Sequence, residues 1–236
     1  MDDPITMRYL EGDYLNHNPA WDMGDSAWKA EKIIALLYKN TIAPESFCEV
    51  GCGAGKILGS LKVTFPDAKF TGYDIAPDAE KFWADLRQSG VSLHVGDFFL
   101  QNDQKHDLIM LIDVLEHIAD PHKFLLGIKP FANKIVLHFP LDLSALSVLR
   151  EKPLLYVRRK VGHIHYFTKG LVFELLEECG LELIDWQYTK AAFSSPKANW
   201  KTRIAQLPRK IAYTLNKDFG ARLLGGETLM VLAKFK

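Results

Sequence analysis

An α/β fold, with a buried and mostly parallel sheet carrying helices on both faces, is what this chain predicts, on three observations. From about residue 46 onward, short apolar runs alternate with segments of helical pattern, the signature of successive βαβ units. Several apolar runs end in an acidic residue or in glycine, as strands do where their carboxyl ends form a ligand crevice. Finally, 236 residues with 48% hydrophobic and 25% charged side chains suit one α/β domain with insertions and a full core.

The elements follow in order. Residues 1–25 are rich in turn formers and aromatics (Tyr9, Tyr14, Trp21) and read as an irregular arm with room for one short helix. Ser26 is positioned to cap a helix over 27–39, with Ile33, Ile34 and Leu37 on one face. Strands are expected at Phe47–Val50, Phe70–Tyr73, Val91–Val95, Asp107–Ile112, Lys134–Phe139, Leu181–Tyr188 and Thr228–Phe235. Helices are expected at Lys56–Val63, from Pro77 to Gly90, over 121–129, and over 169–179 between a Thr168 cap and Gly180. Parallel neighbours need right-handed crossovers, so these helices must cover both faces. The polar residues at the strand ends, Glu49, Asp74, Asp97 and Asp113, are therefore candidates for ligand contact.

Composition narrows the function. Lysine plus arginine equals aspartate plus glutamate, 29 each, so the broad basic excess of a duplex-binding protein is missing and no nucleic-acid partner is expected. Cys48, Cys52 and Cys179 form an odd, sparse set with neither a disulfide framework nor a metal spacing, and read as reduced thiols of a cytoplasmic protein. The N-terminus lacks the apolar core of a signal peptide, and no apolar run reaches membrane-spanning length.

The segment with most chemistry is Glu49-Val50-Gly51-Cys52-Gly53-Ala54-Gly55. Glycine at every second position lets the backbone turn sharply and approach a ligand closely. A dinucleotide site wants G-x-G-x-x-G, but here the third glycine falls one place early and Lys56 stands where it should be. A phosphate-binding P-loop wants one more residue between its glycines and a hydroxyl residue where Ile57 stands.

The pattern instead resembles the first motif of class I S-adenosylmethionine-dependent methyltransferases, an acidic residue followed by G-x-G-x-G. Tyr73-Asp74-Ile75 resembles the acidic end of that family's second strand, and Gly96-Asp97-Phe98 its third-strand element. Asp113-Val114-Leu115-Glu116-His117 resembles the fourth-strand motif of many small-molecule members, quinone-biosynthesis relatives among them. The resemblance covers about residues 46–140. It implies a Rossmann-like seven-stranded sheet of order 3-2-1-4-5-7-6, the last strand antiparallel. It also implies S-adenosyl-L-methionine as cofactor, S-adenosyl-L-homocysteine as product, and a cofactor site drawn from Glu49, Gly51, Cys52, Gly53, Gly55, Asp74, Ile75, Asp97, Phe98 and Asp113. In such a site Asp74 accepts from the ribose hydroxyls, Ile75 lies against the adenine, and Asp97 accepts from the adenine amino group beside Phe98. Glu49 helps hold the methionine ammonium. Helix capping for Asp74 and a turn role for Asp97 are the plainer readings of either residue alone.

Methyl transfer needs a base only when the acceptor must lose a proton. His117, His163 and His165 are the candidates, with a structural histidine as the alternative for His117. Metal binding by the His163-x-His165 pair lacks an evident third ligand, so no metal is expected. The whole chain is read as one domain: arm and cap helix over 1–40, cofactor core over 46–140, and rim insertions over 141–167 and 191–226. The insertions carry the basic residues Arg150, Lys152, Arg158, Arg159 and Lys160, then Lys197, Lys201, Arg203, Arg209, Lys210, Lys217 and Arg222. The second adds an apolar stripe of Trp200, Ile204, Leu207, Ile211 and Leu215, broken by Pro208. These fit a lid with solvated lysines, recognition of an anionic acceptor, or a surface that touches anionic membrane. The expected activity is methyl transfer to a small-molecule, sugar or lipid-linked acceptor, at oxygen or nitrogen. An NAD(P)-dependent oxidoreductase, an aminopropyl transferase and a non-catalytic cofactor binder are the rivals.

Overall fold

The structure is a computed structural model and describes residues 4–12, 21, 23–189 and 212–236. Tyr14, the stripe from Trp200 to Ile211, and Lys197, Lys201, Arg203, Arg209 and Lys210 lie outside the described residues.

The core is a seven-stranded sheet of order β3-β2-β1-β4-β5-β7-β6. Its strands are β1 (Ser46–Val50), β2 (Lys69–Asp74), β3 (Ser92–Val95), β4 (His106–Ile112), β5 (Ala132–Leu141), β6 (Leu181–Tyr188) and β7 (Glu227–Phe235). Neighbours from β3 to β5 run parallel, and β7 runs antiparallel to both β5 and β6. The order and the reversed last strand agree with expectation.

Period-two alternation builds a core on each face. In β4, Leu108, Met110 and Ile112 pack on one side with Ile33 and Leu37. Ile109 and Leu111 point the other way, against Leu125, Val172 and Leu176. The helices follow the chain: α1 (Pro4–Leu10), α2 (Ser26–Lys39), α3 (Lys56–Thr64), α4 (Ala84–Gln88), α5 (Phe98–Gln101), α6 (Pro121–Ile128), α7 (Ala145–Arg150), α8 (Lys152–Lys160), α9 (Lys169–Glu178) and α10 (Lys217–Leu224).

Three elements depart from the sequence reading. Asp25, not Ser26, occupies the cap of α2; Ser26 is its first helical residue. The continuous helix from Pro77 to Gly90 is instead a 3-10 stretch, Pro77–Phe82, followed by the short α4. The break falls at Trp83, which is fully buried and donates its indole N–H to the Gly53 carbonyl at 2.8 Å. That bond, under the glycine turn, fixes Trp83 where a regular helix would carry it past. The first rim insertion contains two helices, α7 and α8. They are separated at Glu151, a non-glycine residue at φ +51, with Pro153 in the first turn of α8.

Candidate active site

The carboxyl ends of β1, β2 and β4 converge with α1 and α2 around two adjoining cavities. The larger, about 680 Å³, is mostly apolar and is lined by Ile5, Thr6 and Tyr9 of α1, by Asp74, Ile75, Asp97 and Phe98, and by Val114 and Phe124. The smaller, about 280 Å³, is more polar and is lined by Lys29, Glu49, Cys52, Gly53, Glu116, His138, His163 and Thr228. Trp21, Gly51, Asp113 and His117 border both.

The glycine turn is built as its composition requires. Gly51, Gly53 and Gly55 all have positive φ, at +76, +51 and +71. A Cβ on Gly51 would stand 2.7 Å from Val114 Cγ2, and one on Gly53 would stand 2.6 Å from the Trp21 indole nitrogen. Gly55 lines neither cavity among the described residues; its left-handed turn caps α3.

The acidic residues divide. Asp74 Oδ2 accepts the Gly53 amide at 2.7 Å and Oδ1 accepts the Ala76 amide at 2.9 Å. Burial pushes its carboxyl up to about 6, with those two amides opposing the rise. Asp97 Oδ1 caps α5 through the Phe99 amide at 2.7 Å, so its turn role is present together with its place in the cavity wall. Phe98 is buried against Tyr73. Glu49 is 2% exposed and its Oε2 has no hydrogen-bond partner among the described residues. Burial pushes its carboxyl up to about 8; Lys29 opposes that rise and Asp74 adds to it.

Asp113 is already engaged. Its backbone is left-handed, φ +54. Lys29 Nζ donates to Oδ2 at 2.7 Å, and His138 Nδ1 lies 2.5 Å from Oδ1. Burial raises its carboxyl, but His138 and Lys29 together outweigh burial and hold it well below the usual carboxylate range. His138 Nε2 continues to Thr189 Oγ1 at 3.0 Å. Lys29, His138 and Trp83 were not singled out from the sequence, and Glu116 entered only as part of the fourth-strand motif, with no role of its own. Of these His138 left a signal, as a lone imidazole within the apolar run Ile135–Phe139.

The three histidine candidates separate. His165 Nε2 lies 2.9 Å from the Ile118 carbonyl and borders neither cavity. His163 and His117 face the smaller cavity, with ring centroids 5.0 Å apart. They meet because the amides of Ile164 and His165 donate to the Glu116 carbonyl at 2.8 and 3.2 Å, which folds the segment after α8 onto the end of β4. Burial, then the neighbouring His163, pushes His117 down to about 4. Glu116 is fully buried, and burial, with Asp113 next in effect, pushes its carboxyl well above the usual range.

The first insertion meets the site through its end. Val161 and His163 line the smaller cavity, whereas Arg150, Lys152, Arg158, Arg159 and Lys160 are exposed and line neither. Arg8 of α1 closes the last turn of α8, donating to the carbonyls of Arg159 and Lys160 at 2.8 and 2.6 Å. Helix α1 also lends Ile5, Thr6 and Tyr9 to the wall of the larger cavity. Tyr9 packs edge-on to His117 at 5.9 Å. Among the described residues no helix is long and apolar enough to cross a membrane.

A 3-2-1-4-5-7-6 sheet with a glycine turn after β1 and a carboxylate ending β2 defines a class I methyltransferase, whose cofactor is S-adenosylmethionine. Residues 26–185 match the family model described as methyltransferase domain, and the chain belongs to that family. Solved structures share the fold. The magnesium protoporphyrin IX methyltransferase of Synechocystis PCC 6803, with bound S-adenosylhomocysteine, is 16% identical with a TM-score of 0.62, covering 99% of this chain and 100% of that one. The plantazolicin methyltransferase, in complex with a monoazolic desmethylPZN analogue and S-adenosylhomocysteine, is 16% identical with a TM-score of 0.57, covering 97% of this chain and 90% of that one. The mitomycin 7-O-methyltransferase is 15% identical with a TM-score of 0.56, covering 90% and 53%.

Proposed function

We propose that the chain transfers the methyl group of S-adenosylmethionine to a small-molecule, sugar or lipid-linked acceptor, at oxygen or nitrogen. The observation that carries this reading is the convergence of Gly51, Asp74, Ile75, Asp97 and Phe98 on one 680 Å³ cavity. Asp74 offers the ribose diol a charged acceptor, and Ile75 and Phe98 give the adenine apolar contact. Glu49, unpartnered at Oε2, suits the methionine ammonium.

The sulfonium methyl then lies near the residues common to both cavities, and the acceptor shares the smaller one with the methionine end of the cofactor. The acceptor's lone pair forms the bond to the methyl carbon as the carbon–sulfur bond breaks, and the sulfur keeps that pair as a neutral thioether. The protein's contribution is orientation and exclusion of water, with α1 as the cover. Glu116, His117 and His163 are the polar groups facing the acceptor atom. The cations of the first insertion line neither cavity and so lend no support to an anionic acceptor.

Calorimetry tests the reading with S-adenosylhomocysteine as ligand, Asp74→Ala as control and NADH as competitor. Binding that is much weakened in the variant and untouched by NADH is expected. A folded, ligand-free chain that binds no S-adenosylhomocysteine would overturn it.

A further inference from the structure

Glu116, His117 and His163 offer a carboxylate oxygen and two ring nitrogens that all lie within 4.8 Å of one another. A single cation bonded at ~2.1 Å reaches all three after a shift of under ~1 Å in each side chain. Proximity alone is a weak argument, but the surroundings of each donor add to it.

Glu116 is 0% exposed, and neither of its carboxylate oxygens has a hydrogen-bond partner among the described residues. A carboxyl removed from water without a partner is costly, and that cost disappears when it binds a cation. Both imidazoles are held from behind. His163 Nδ1 lies 2.6 Å from Asp142 Oδ2, and His117 Nδ1 lies 3.2 Å from the Gly162 carbonyl. Each acceptor places the ring proton on Nδ1 and so leaves the Nε2 lone pair available to a cation. A carboxylate or backbone carbonyl behind each histidine is the usual outer support of a metal-ligating imidazole. Asp113, a further acid nearby, is engaged by Lys29 and His138 and is not a donor here.

We infer that Glu116, His117 and His163 form a binding site for a first-row divalent cation of the zinc type, open on the side of the smaller cavity. Two imidazoles and one carboxylate are the borderline donors such a cation prefers, and three protein ligands leave a position for a substrate atom. This deepens the methyl-transfer reading and rests on it for its role. The open position would take the oxygen of a hydroxyl acceptor and make that hydroxyl more acidic. Its proton leaves to solvent, its lone pair forms the bond to the sulfonium methyl carbon, and the carbon–sulfur pair returns to sulfur. The substrate class is then an oxygen acceptor rather than an amine.

The test is titration of chelator-treated, folded protein with Zn²⁺ by calorimetry and with Co²⁺ by visible absorption, alongside S-adenosylhomocysteine binding in the same sample. One equivalent of Co²⁺, with the strong d–d absorption of a four- or five-coordinate site, is expected. Glu116→Gln and His163→Ala should each weaken Zn²⁺ at least 100-fold, and Asp142→Ala about 10- to 100-fold, with S-adenosylhomocysteine binding retained. Wild-type protein that binds no stoichiometric cation, or binding that survives in both ligand variants, overturns the inference. Because the wild-type titration stands alone, a variant that fails to fold does not rescue it. Protein that takes up neither Zn²⁺ nor Co²⁺ yet binds S-adenosylhomocysteine would sink this site and leave the methyl-transfer reading standing; the converse pattern would sink that reading instead.

Discussion

Asp74 Oδ2 accepts the Gly53 amide at 2.7 Å, so the end of β2 and the glycine turn after β1 are locked together across one parallel strand pair. The same carboxylate is the group proposed to meet the cofactor's ribose. Its value near 6 lies above the ~3.9 of an unfolded chain. The stability linked to this group is therefore full below about pH 3.9 and is lost as pH rises through about 6. Ligand binding runs the other way, because the ionised form is the better acceptor. Through Asp74 the affinity for S-adenosylhomocysteine should fall by up to ~10-fold per pH unit below pH 6, a dependence that Asp74→Asn should remove when compared in a Glu49→Gln background. Calorimetry at pH 7.5 and 5 measures both, and a flat wild-type profile would remove Asp74 from the ribose.

Glu49 stands near 8 and is mostly protonated at pH 7. An arriving methionine ammonium favours its ionised form, so binding should expel roughly half a proton to one proton at pH 7. Titrations in phosphate and in Tris buffers, which differ in ionisation enthalpy, count that proton. Glu49→Gln should bring the count to zero; a count unchanged in the variant would assign the proton to another group.

Lys29→Met leaves the Asp113 carboxylate with His138 alone. Breaking a buried ion pair costs about 3–5 kcal/mol, and the 28% exposure of Asp113 puts the expected loss nearer ~2–3 kcal/mol. Asp113 is depressed in the folded chain, so its contribution is present above about pH 3.9 and is lost as pH falls below it. The difference between wild type and variant should accordingly shrink in acid. Denaturant melts at pH 7 and pH 3.5 read it, and equal differences at both would exclude the pair as the cause.

Arg8→Ala removes all three bonds from α1 to the end of α8. Arg8 makes these bonds at the surface, so global stability should change little, by under ~1 kcal/mol. Amide exchange across residues 4–10 should accelerate, and S-adenosylhomocysteine should dissociate faster, because α1 walls the larger cavity. Unaltered exchange in that helix would show that other contacts hold the arm.

The sheet was legible because its signals are local. Ile109 and Leu111 alternate with Leu108 and Met110 within one short run, and glycine or an acid marks where several strands stop. Part of the larger cavity's wall was legible for the same reason: Asp74, Ile75, Asp97 and Phe98 are neighbours of strand ends. What escaped is tertiary. Lys29 from α2, Asp113 after β4 and His138 in β5 become one cluster only when the sheet is assembled. Trp83 broke a helix that its local pattern favoured because its indole is required beneath Gly53. The pair His163 and His165 looked like a unit in sequence, yet His165 meets the Ile118 carbonyl and borders neither cavity, whereas His163 lines the smaller one. His163 joins Glu116 and His117 instead, through the amides that Ile164 and His165 give to Glu116.

Trp21 and Trp28 form part of the cavity walls, and Trp83 is bonded to the turn beneath them. Their indoles respond to the polarity and packing around them, so the molecule carries a built-in optical reporter. Filling the cleft should change its intrinsic emission, and candidate ligands can then be ranked by fluorescence on unlabelled protein, before any product assay exists.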